Sequence, residues 1–486
     1  MNRRTAKGMR LFLLGLLAVM LLGGCASHPK LDPVAPDRSA NDGNNQAAGQ
    51  GSNRTANDGS GQAAPDPDAD SAPEDNGQDP VQPGDGNSGT QTPATDGRQA
   101  GDGGSDQDDA SLGAGQQTGQ NGEPMKPPVD EGTYDATLIA VGDIMMHSPQ
   151  LPGALDKHTG LYDFKPFFEQ VKPIIERGDW SLANLETPIA GKSLGLSGYP
   201  RFNAPPELAD ALKDAGFTIV TNANNHALDR GSQGIAMTLA KLQKLGLVTK
   251  GTARSRWEAD QLTIEKRNGI SMGLLAYTYG TNGIPLPKNQ PYAVTLIDEQ
   301  AMIKDIHRLK AAGADFITIA LHFGIEYQTT PNEAQTKLAR ALIAAGADIV
   351  AGSHPHVVQP YEFAEVKNPD GSVRKGLIIY SMGNFISNQR GDTKDFGVIY
   401  QVAVHKDHGA TTIGSVKAIP TWVHRTTVKG LNHYAVVPIA SALASKTKPF
   451  PEMSAADYGK LKSTYAVVAK RIESLRSKPV HLQAAP

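Results

Sequence analysis

Five short segments, far apart in the chain, each close a β-like apolar run with side chains that bind divalent cations. They are Val141-Gly142-Asp143-Ile144-Met145-Met146-His147, Asn184-Leu185-Glu186, Asn224-Asn225-His226, Leu321-His322-Phe323-Gly324 and Gly352-Ser353-His354-Pro355-His356. Together they supply carboxylate, amide and imidazole donors, the set that intermediate cations such as Zn, Mn or Fe accept. The order carboxylate, carboxylate, Asn-His, His, His-x-His reads as a two-metal hydrolytic site. Asp143 follows a tight turn at Gly142 and can take one cation; His147, four residues on, can join it. Glu186 directly follows a strand, and a carboxylate bridges two cations better than a neutral ligand does. Asn225 can offer its carbonyl oxygen, and His226 can then face a substrate with Asp229 orienting its ring. His322 ends the run Ile-Thr-Ile-Ala-Leu. In His354-Pro355-His356, alternate residues of an extended chain diverge, yet a loop with a proline can present both rings, with Gly352 and Ser353 leaving room for close approach. Structural alternatives stand beside these readings: Asp143 as a turn cap, Glu186 as a solvated loop acid, Asn224–His226 as an Asx-type turn and His322 as a satisfied core histidine.

The elements around these segments say how they could meet. Buried strands are expected over 136–141, 180–183, 217–221, 316–321, 348–351 and 377–381. Amphipathic helices are expected over 164–176, 205–215, 232–245, 298–312 and 332–345. Alternating helix and strand argues for a sheet with helices on its faces. Each candidate ligand falls at or just beyond the carboxyl end of a strand, the edge at which open α/β sheets gather their sites. After residue 396 the pattern changes. Segments 398–405 and 412–423 read as an antiparallel pair joined through Lys406-Asp407-His408-Gly409, and a last helix covers 455–475. These pieces can extend the main sheet or form a small subdomain.

Not all of the 486 residues can fold. Arg3, Arg4, Lys7 and Arg10 precede an apolar run over 11–22, too short to span a bilayer comfortably and suited to a signal-peptide core. It ends in Leu22-Gly23-Gly24-Cys25, which resembles a bacterial lipobox. Residues 1–24 are therefore read as a lipoprotein signal peptide and Cys25 as the lipidated residue, with several acyl chains giving stable anchoring. Cys25 is the single cysteine, so no intrachain disulfide can form. Residues 31–131 hold 19 Asp and Glu against 4 Lys and Arg and no aromatic residue. Such a composition cannot bury enough apolar surface to offset its ordering entropy. Residues 25–131 are read as a disordered acidic tether reaching roughly 55 Å, which places the protein at the cell membrane, lipid-anchored, on its extracytoplasmic face. Residues 132–395 form the core of the folded domain, and 396–486 add the C-terminal strands and helix that complete it. The folded part carries about +7 of a whole-chain charge of −3, which is compatible with an anionic substrate. No basic, aromatic-interleaved stripe appears, so nucleic acid is not an expected partner.

The segments Gly142-Asp143, Asn184-Leu185-Glu186, Asn225-His226-x-x-Asp229-x-Gly231, Leu321-His322-x-Gly324-x-Glu326-Tyr327, Gly352-x-His354-Pro355-His356-Val357 and Ser381-x-Gly383-Asn384-Phe385 resemble, as a set over about 135–390, the poly-γ-glutamate capsule-biosynthesis (CapA/PgsA) family. That family is similar in turn to the calcineurin-like metallophosphoesterases. The resemblance implies an α/β fold, a four-layer α/β/β/α sandwich around two divalent metal ions. It implies that Asp143, Glu186 and His356, joined by His147, hold one cation and Asn225, His322 and His354 the other, with Glu186 bridging. His226, supported by Asp229, would protonate the leaving group. Two positions depart from the superfamily pattern: Met145 stands where a histidine is usual, and Glu186 where an aspartate is. The implied function is a membrane-anchored extracytoplasmic protein of poly-γ-glutamate synthesis or export. Its substrate would be an anionic polymer or a phosphoester, and its partners membrane-embedded polyglutamate synthase subunits. The alternatives are a secreted metal-dependent phosphoesterase with no capsule role, and a non-catalytic assembly subunit with a vestigial site.

Overall fold

The computed structural model describes residues 132–445 and 453–485; the signal peptide, Cys25 and the tether lie outside the described residues. Strands β1 (Thr133–Ile144), β2 (Trp180–Leu185), β3 (Ile219–Thr221) and β4 (Val248–Lys250) run parallel, side by side, in a first sheet. Strands β5 (Thr263–Arg267), β6 (Ile270–Thr278), β7 (Phe316–His322), β8 (Ile349–Ser353), β9 (Tyr361–Lys367) and β10 (Val373–Ile379) build a second sheet. Its centre, β6, β7, β8 and β10, is parallel. Strands β11 (Asn384–Ile386), β12 (Phe396–Asp407), β13 (Ala410–Val428) and β14 (Leu431–Pro438) return to the first sheet, and β15 (Val480–Gln483) lies at the edge of the second. The first sheet is ordered β14-β13-β12-β1-β2-β3-β4, with β11 paired to the end of β1. The second is ordered β15-β9-β10-β8-β7-β6-β5.

The two-residue period of each central strand divides its side chains between two cores. Leu138 and Ala140 of β1 and Leu182 of β2 meet Leu274 of β6, Ile349 of β8 and Ile379 of β10 between the sheets. Ile139 and Val141 point the other way, into a layer with Phe168, Leu208 and Leu212 from the helices Lys165–Phe168 and Glu207–Asp214. On the far face of the second sheet, Ile317 and Ile319 of β7 pack with Met302, Ile306 and Leu309 of the helix Glu299–Ala311 and with Leu342 and Ile343 of Glu333–Ala344. The layers thus run helix, sheet, sheet, helix. Burial on both faces explains why β1 is enclosed at every residue from Leu138 to Ile144. Asp298 caps its helix by accepting from Ala301 N at 3.0 Å, and Asn332 does the same for Gln335 N at 2.8 Å.

One expected helix divides, and one of the two arrangements open to the C-terminal strands is realised. Residues 164–176 are two four-residue helices, Lys165–Phe168 and Lys172–Ile175, rather than one. Pro173 has no N–H to continue the ladder, and its ring excludes the carbonyl four residues back; the apolar positions Phe164, Phe167, Val171 and Ile175 are buried all the same. The C-terminal strands join the first sheet, with β12 antiparallel to β1. The β12–β13 hairpin turns on His408-Gly409 alone, both at positive φ (+49° and +80°) as a type I′ turn requires.

Gly142 shows how tightly the edge of the first sheet is built. A Cβ there would stand 1.9 Å from the carbonyl oxygen of Gly383, in a backbone-to-backbone approach. Asp143 N donates to that same oxygen at 3.0 Å. Gly142→Ala is expected to cost about 3 kcal/mol, the upper end for a single overpacked site. Urea unfolding should show a lower midpoint with an unchanged slope; a wild-type midpoint would mean the two backbones can part freely.

Candidate metal centre

The carboxyl ends of parallel strands from both sheets face one place. Asp143 lies near the end of β1, Glu186 follows β2, and Asn225 and His226 follow β3; His322 ends β7, and His354 and His356 follow β8. The loop after β3 is shaped by Asn224. Its amide donates to Leu185 O at 2.8 Å and to Asn184 Oδ1 at 3.3 Å, while its own Oδ1 accepts from His226 N at 3.2 Å. The Asx-type turn is therefore present, and it is what presents Asn225 and His226. The loop after β8 is held in an unusual shape. His354 (φ +100°) and His356 (φ +58°) both occupy the left-handed region, at a cost of about 1–3 kcal/mol each. Gly352 serves a different neighbour from the one its sequence context suggests. A Cβ there would meet the carbonyl oxygen of Tyr380 at 2.1 Å, so the space it leaves is taken by backbone.

Among the described residues, three overlapping groups have donor atoms within 4.8 Å of one another. They are Asp143 with Glu186 and His356, Glu186 with His322 and His354, and Glu326 with His354 and His356. Glu186 belongs to two groups; its Oε1 is 3.4 Å from His322 Nε2 and 3.7 Å from His356 Nε2. Asn225 Oδ1 is 2.9 Å from the same His322 Nε2. Asp143 Oδ2 lies 3.1 Å from His356 Nδ1 and accepts from His354 N at 3.3 Å. None of the three groups contains His147. Its Nδ1 accepts from Asn388 N at 3.3 Å, and its ring packs edge-on against Phe202 at 5.0 Å.

His226 and Asp229 form a buried pair beside this cluster, His226 Nδ1 to Asp229 Oδ2 at 2.7 Å. The same oxygen accepts from Phe202 N at 2.7 Å. That oxygen acts as an acceptor toward the backbone, and the pairing assigns the proton to Nδ1. Nε2 then faces the amide of Asn282 at 3.4 Å, and Asn282 Oδ1 accepts from Asn225 Nδ2 at 3.1 Å.

Burial and mutual charge set the protonation of the cluster. Burial drives the Glu186 carboxyl well above its ordinary range, and the charges of Asp143 and Glu326 push the same way. Burial also acts to raise Asp143, but the hydrogen bond and charge of His356 outweigh it and hold the carboxyl low. His322 is pulled down to about 3, chiefly by burial. His354 is likewise depressed by burial, with the His322 and His356 rings adding to it. Burial would lower His356 too, yet the hydrogen bond and charge of Asp143 raise it. His322 and His354 are thus neutral donors at ordinary pH, the form a metal ligand needs.

The donor set fits divalent cations on one further ground. Glu186 is fully buried, and neither carboxylate oxygen has a hydrogen-bond partner; the buried Nδ1 of His354 lacks one as well. Buried polar groups almost always have partners, and a buried acid needs a counter-charge. A cation between Glu186 and the imidazoles satisfies both requirements.

Several residues of the site escaped the sequence reading. Asn184 donates to Asp143 Oδ1 at 2.8 Å and lies 3.3 Å from His322 Nδ1, while Ser353 Oγ sits 3.0 Å from that same nitrogen. Both stand inside segments already singled out, where an amide and a hydroxyl beside ligands are the natural signal. Tyr279, its ring 4.5 Å from that of His354, and Asn282 follow β6. The rule of strand carboxyl ends would have reached them. The signal for β6 is the Asn268-Gly269 hairpin turn that joins it to β5.

Residues 137–389 match the family model described as bacterial capsule synthesis protein PGA_cap. The PGA biosynthesis protein CapA of Bacillus subtilis is 34% identical over 271 residues, 53% of this chain and 65% of that protein. The capsule biosynthesis protein CapA of Bacillus anthracis is 29% identical over 297 residues, 58% of this chain and 67% of that one. The chain therefore spans just under two thirds of the Bacillus subtilis relative. Among solved structures, calcineurin-like phosphoesterase YfkN from Bacillus subtilis is similar with 14% identity and a TM-score of 0.36, over 70% of this chain and 99% of that one. The family match takes in more than half of the 486 residues and every one of the candidate ligands, and the chain belongs to the bacterial capsule synthesis protein PGA_cap family.

Proposed function

We propose that this protein is a membrane-anchored, extracytoplasmic component of poly-γ-glutamate capsule synthesis or export, with a two-cation hydrolase-type centre. Its similarity to the capsule and PGA biosynthesis proteins of Bacillus supports the pathway. The Cys25 lipobox, with residues 25–131 as tether, supports the location at a membrane where synthase subunits would work. The observation that carries the chemistry is Glu186, enclosed beside the His322 and His356 rings with neither oxygen hydrogen-bonded.

In this reading Asp143, Glu186 and His356 would hold one cation and Asn225, His322 and His354 the other. When bound, the pair supplies Lewis-acid polarisation of the scissile group. Asn184 and Ser353 fix the His322 ring, so that its Nε2 stays directed at Glu186 and Asn225. His226 delivers a proton from Nε2 to the departing atom, and Asp229 stabilises the imidazolium from which that proton leaves. The substrate is an amide or ester bond in an anionic polymer. The buried His226–Asp229 pair favours chemistry over a vestigial site. It serves a secreted phosphoesterase equally well, which makes that the second reading.

A strain carrying alanine at Asn225, His226 and His356 separates them. Polymer is expected to fall to the level of a deletion strain while the protein stays at normal abundance in the membrane fraction. Normal polymer with normal protein would leave the capsule reading without its centre. Unchanged polymer together with lost phosphoester hydrolysis by the purified protein would favour the second reading.

A further inference from the structure

We propose that Glu326, which lies beside His354 and His356, is a ligand of this centre and joins the His356 cation in the place for which the sequence offers His147. The inference rests on the two-cation reading above and adds a ligand that reading lacks. A carboxylate oxygen of Glu326 and a ring nitrogen of each histidine lie within 4.8 Å of one another, whereas His147 joins no such group among the described residues. His147 instead engages Asn388 N and the Phe202 ring.

The position of Glu326 is built rather than incidental. After β7 the chain turns at Gly324 (φ +108°) and again at Tyr327 (φ +66°), the second a conformation that a non-glycine residue adopts only when its surroundings hold it there. Tyr327 N donates to Pro355 O at 2.7 Å, and the Tyr327 ring lies 6.1 Å from that of His356. The turn that carries Glu326 is thereby fastened to the very loop that carries both histidines. Inside the turn, a Cβ on Gly324 would stand 2.6 Å from the Gln335 side chain, so the chain passes there in close contact.

Charge gives the reason for a third carboxylate. An imidazole ligates a metal as a neutral donor, and the buried acids Asp143 and Glu186 are shared with the rest of the cluster. A further anionic oxygen on the open side of the His356 cation completes its ligands, and such a donor suits Mn and Zn alike. Glu326 is the one member of the three groups that is half-buried rather than buried. It is therefore the ligand that an incoming anionic substrate would replace.

The test titrates the full chain in detergent with Mn2+, following bound metal by electron paramagnetic resonance and by elemental analysis after dialysis. Wild type, Glu326→Gln, Glu326→Asp and His147→Ala are compared. Wild type is expected to bind two equivalents. Glu326→Gln should hold one with unchanged affinity and the other at least about tenfold more weakly, since even outer partners of ligands are worth that much. Glu326→Asp, which keeps the carboxylate, should recover part of the loss, and His147→Ala should titrate as wild type. Metal-free melting temperatures of the variants, matched to wild type, show that the fold is kept. Superimposable titrations of wild type and Glu326→Gln overturn the proposal, as does loss of the second equivalent in His147→Ala alone. A wild type that takes up no Mn2+ or Zn2+ overturns the two-cation reading, and this proposal with it.

Discussion

Glu186→Gln is expected to act in opposite directions on the metal-free and the metal-loaded protein. The fold encloses this side chain completely, gives neither oxygen a hydrogen bond, and places Asp143 beside it. Burial first, and then the negative charges of Asp143 and Glu326, hold its carboxyl well above the ordinary range. The metal-free fold therefore keeps a proton that the unfolded chain has already given up. For a group whose folded pKa is raised, the stability contribution is present below the unfolded pKa and is lost as pH rises through the folded one. His356, also raised on balance, contributes with the same sign. Metal-free wild type should thus weaken as pH rises from the ordinary carboxylate range through neutrality to alkaline conditions. Glu186→Gln cannot ionise and is spared its share, so in EDTA it should equal wild type at the acid end and exceed it at the alkaline end.

With cation present the order reverses. A ligand at about a thousand times its dissociation constant stabilises the native state by about 4 kcal/mol. In wild type that gain also removes the penalty of ionising Glu186, so it grows as pH rises. The amide of Glu186→Gln is a neutral and weaker donor, and most of the gain should vanish. Thermal melts in EDTA and in excess Mn2+, at both ends of this pH range, read all four states. A variant that melts below wild type in EDTA under alkaline conditions would show that the enclosed acid is no burden. Equal stabilisation of both proteins by Mn2+ would remove Glu186 from the ligands.

The convergence of the site was legible because it depends on one regularity. Parallel strands end at a common edge, and Asp143, Glu186, His322 and His354 each stand at such an end. Contacts made across loops are set by turns, and these were less legible. His147 lies four residues beyond Asp143, a spacing that brings side chains together on a helix. The chain there leaves β1 at Ile144 as non-helical backbone and enters a short turn over Ser148–Gln150, in which His147 N donates to Gln150 Oε1 at 2.7 Å. Glu326 reaches the histidines only because Gly324 and Tyr327 reverse the chain. In the same way Asn268-Gly269 (φ +46° and +76°) makes the β5–β6 hairpin, and without that hairpin the end of β6 and its Tyr279 and Asn282 stay out of view. The expected helix over 164–176 failed for a simpler reason. Its apolar spacing was real, but Pro166 and Pro173 restart the chain twice, and apolar spacing alone does not count hydrogen-bond donors.

His226→Ala is expected to lower hydrolysis by about 10²–10⁴-fold, the usual worth of a positioned proton donor, and the size of the loss should depend on the leaving group. His226 Nε2 is the nitrogen that can serve, because Nδ1 is committed to Asp229 at 2.7 Å while Nε2 meets only the long contact to the Asn282 amide at 3.4 Å. A p-nitrophenyl ester departs without being protonated, whereas an alkyl ester or an amide needs the proton. The variant should therefore keep most of its rate on the nitrophenyl substrate and lose it on the alkyl one, with bound metal unchanged. Asp229→Asn tests the other half of the pair. It preserves the shape and still meets the ring, but it removes the charge that stabilises the imidazolium, and an amide nitrogen toward Nδ1 reverses the tautomer. Its loss should follow the same leaving-group pattern and reach about 10²-fold or more on the alkyl ester. Equal losses on both substrates, or loss of metal in either variant, would place His226 and Asp229 in the scaffold of the centre rather than in its proton transfer.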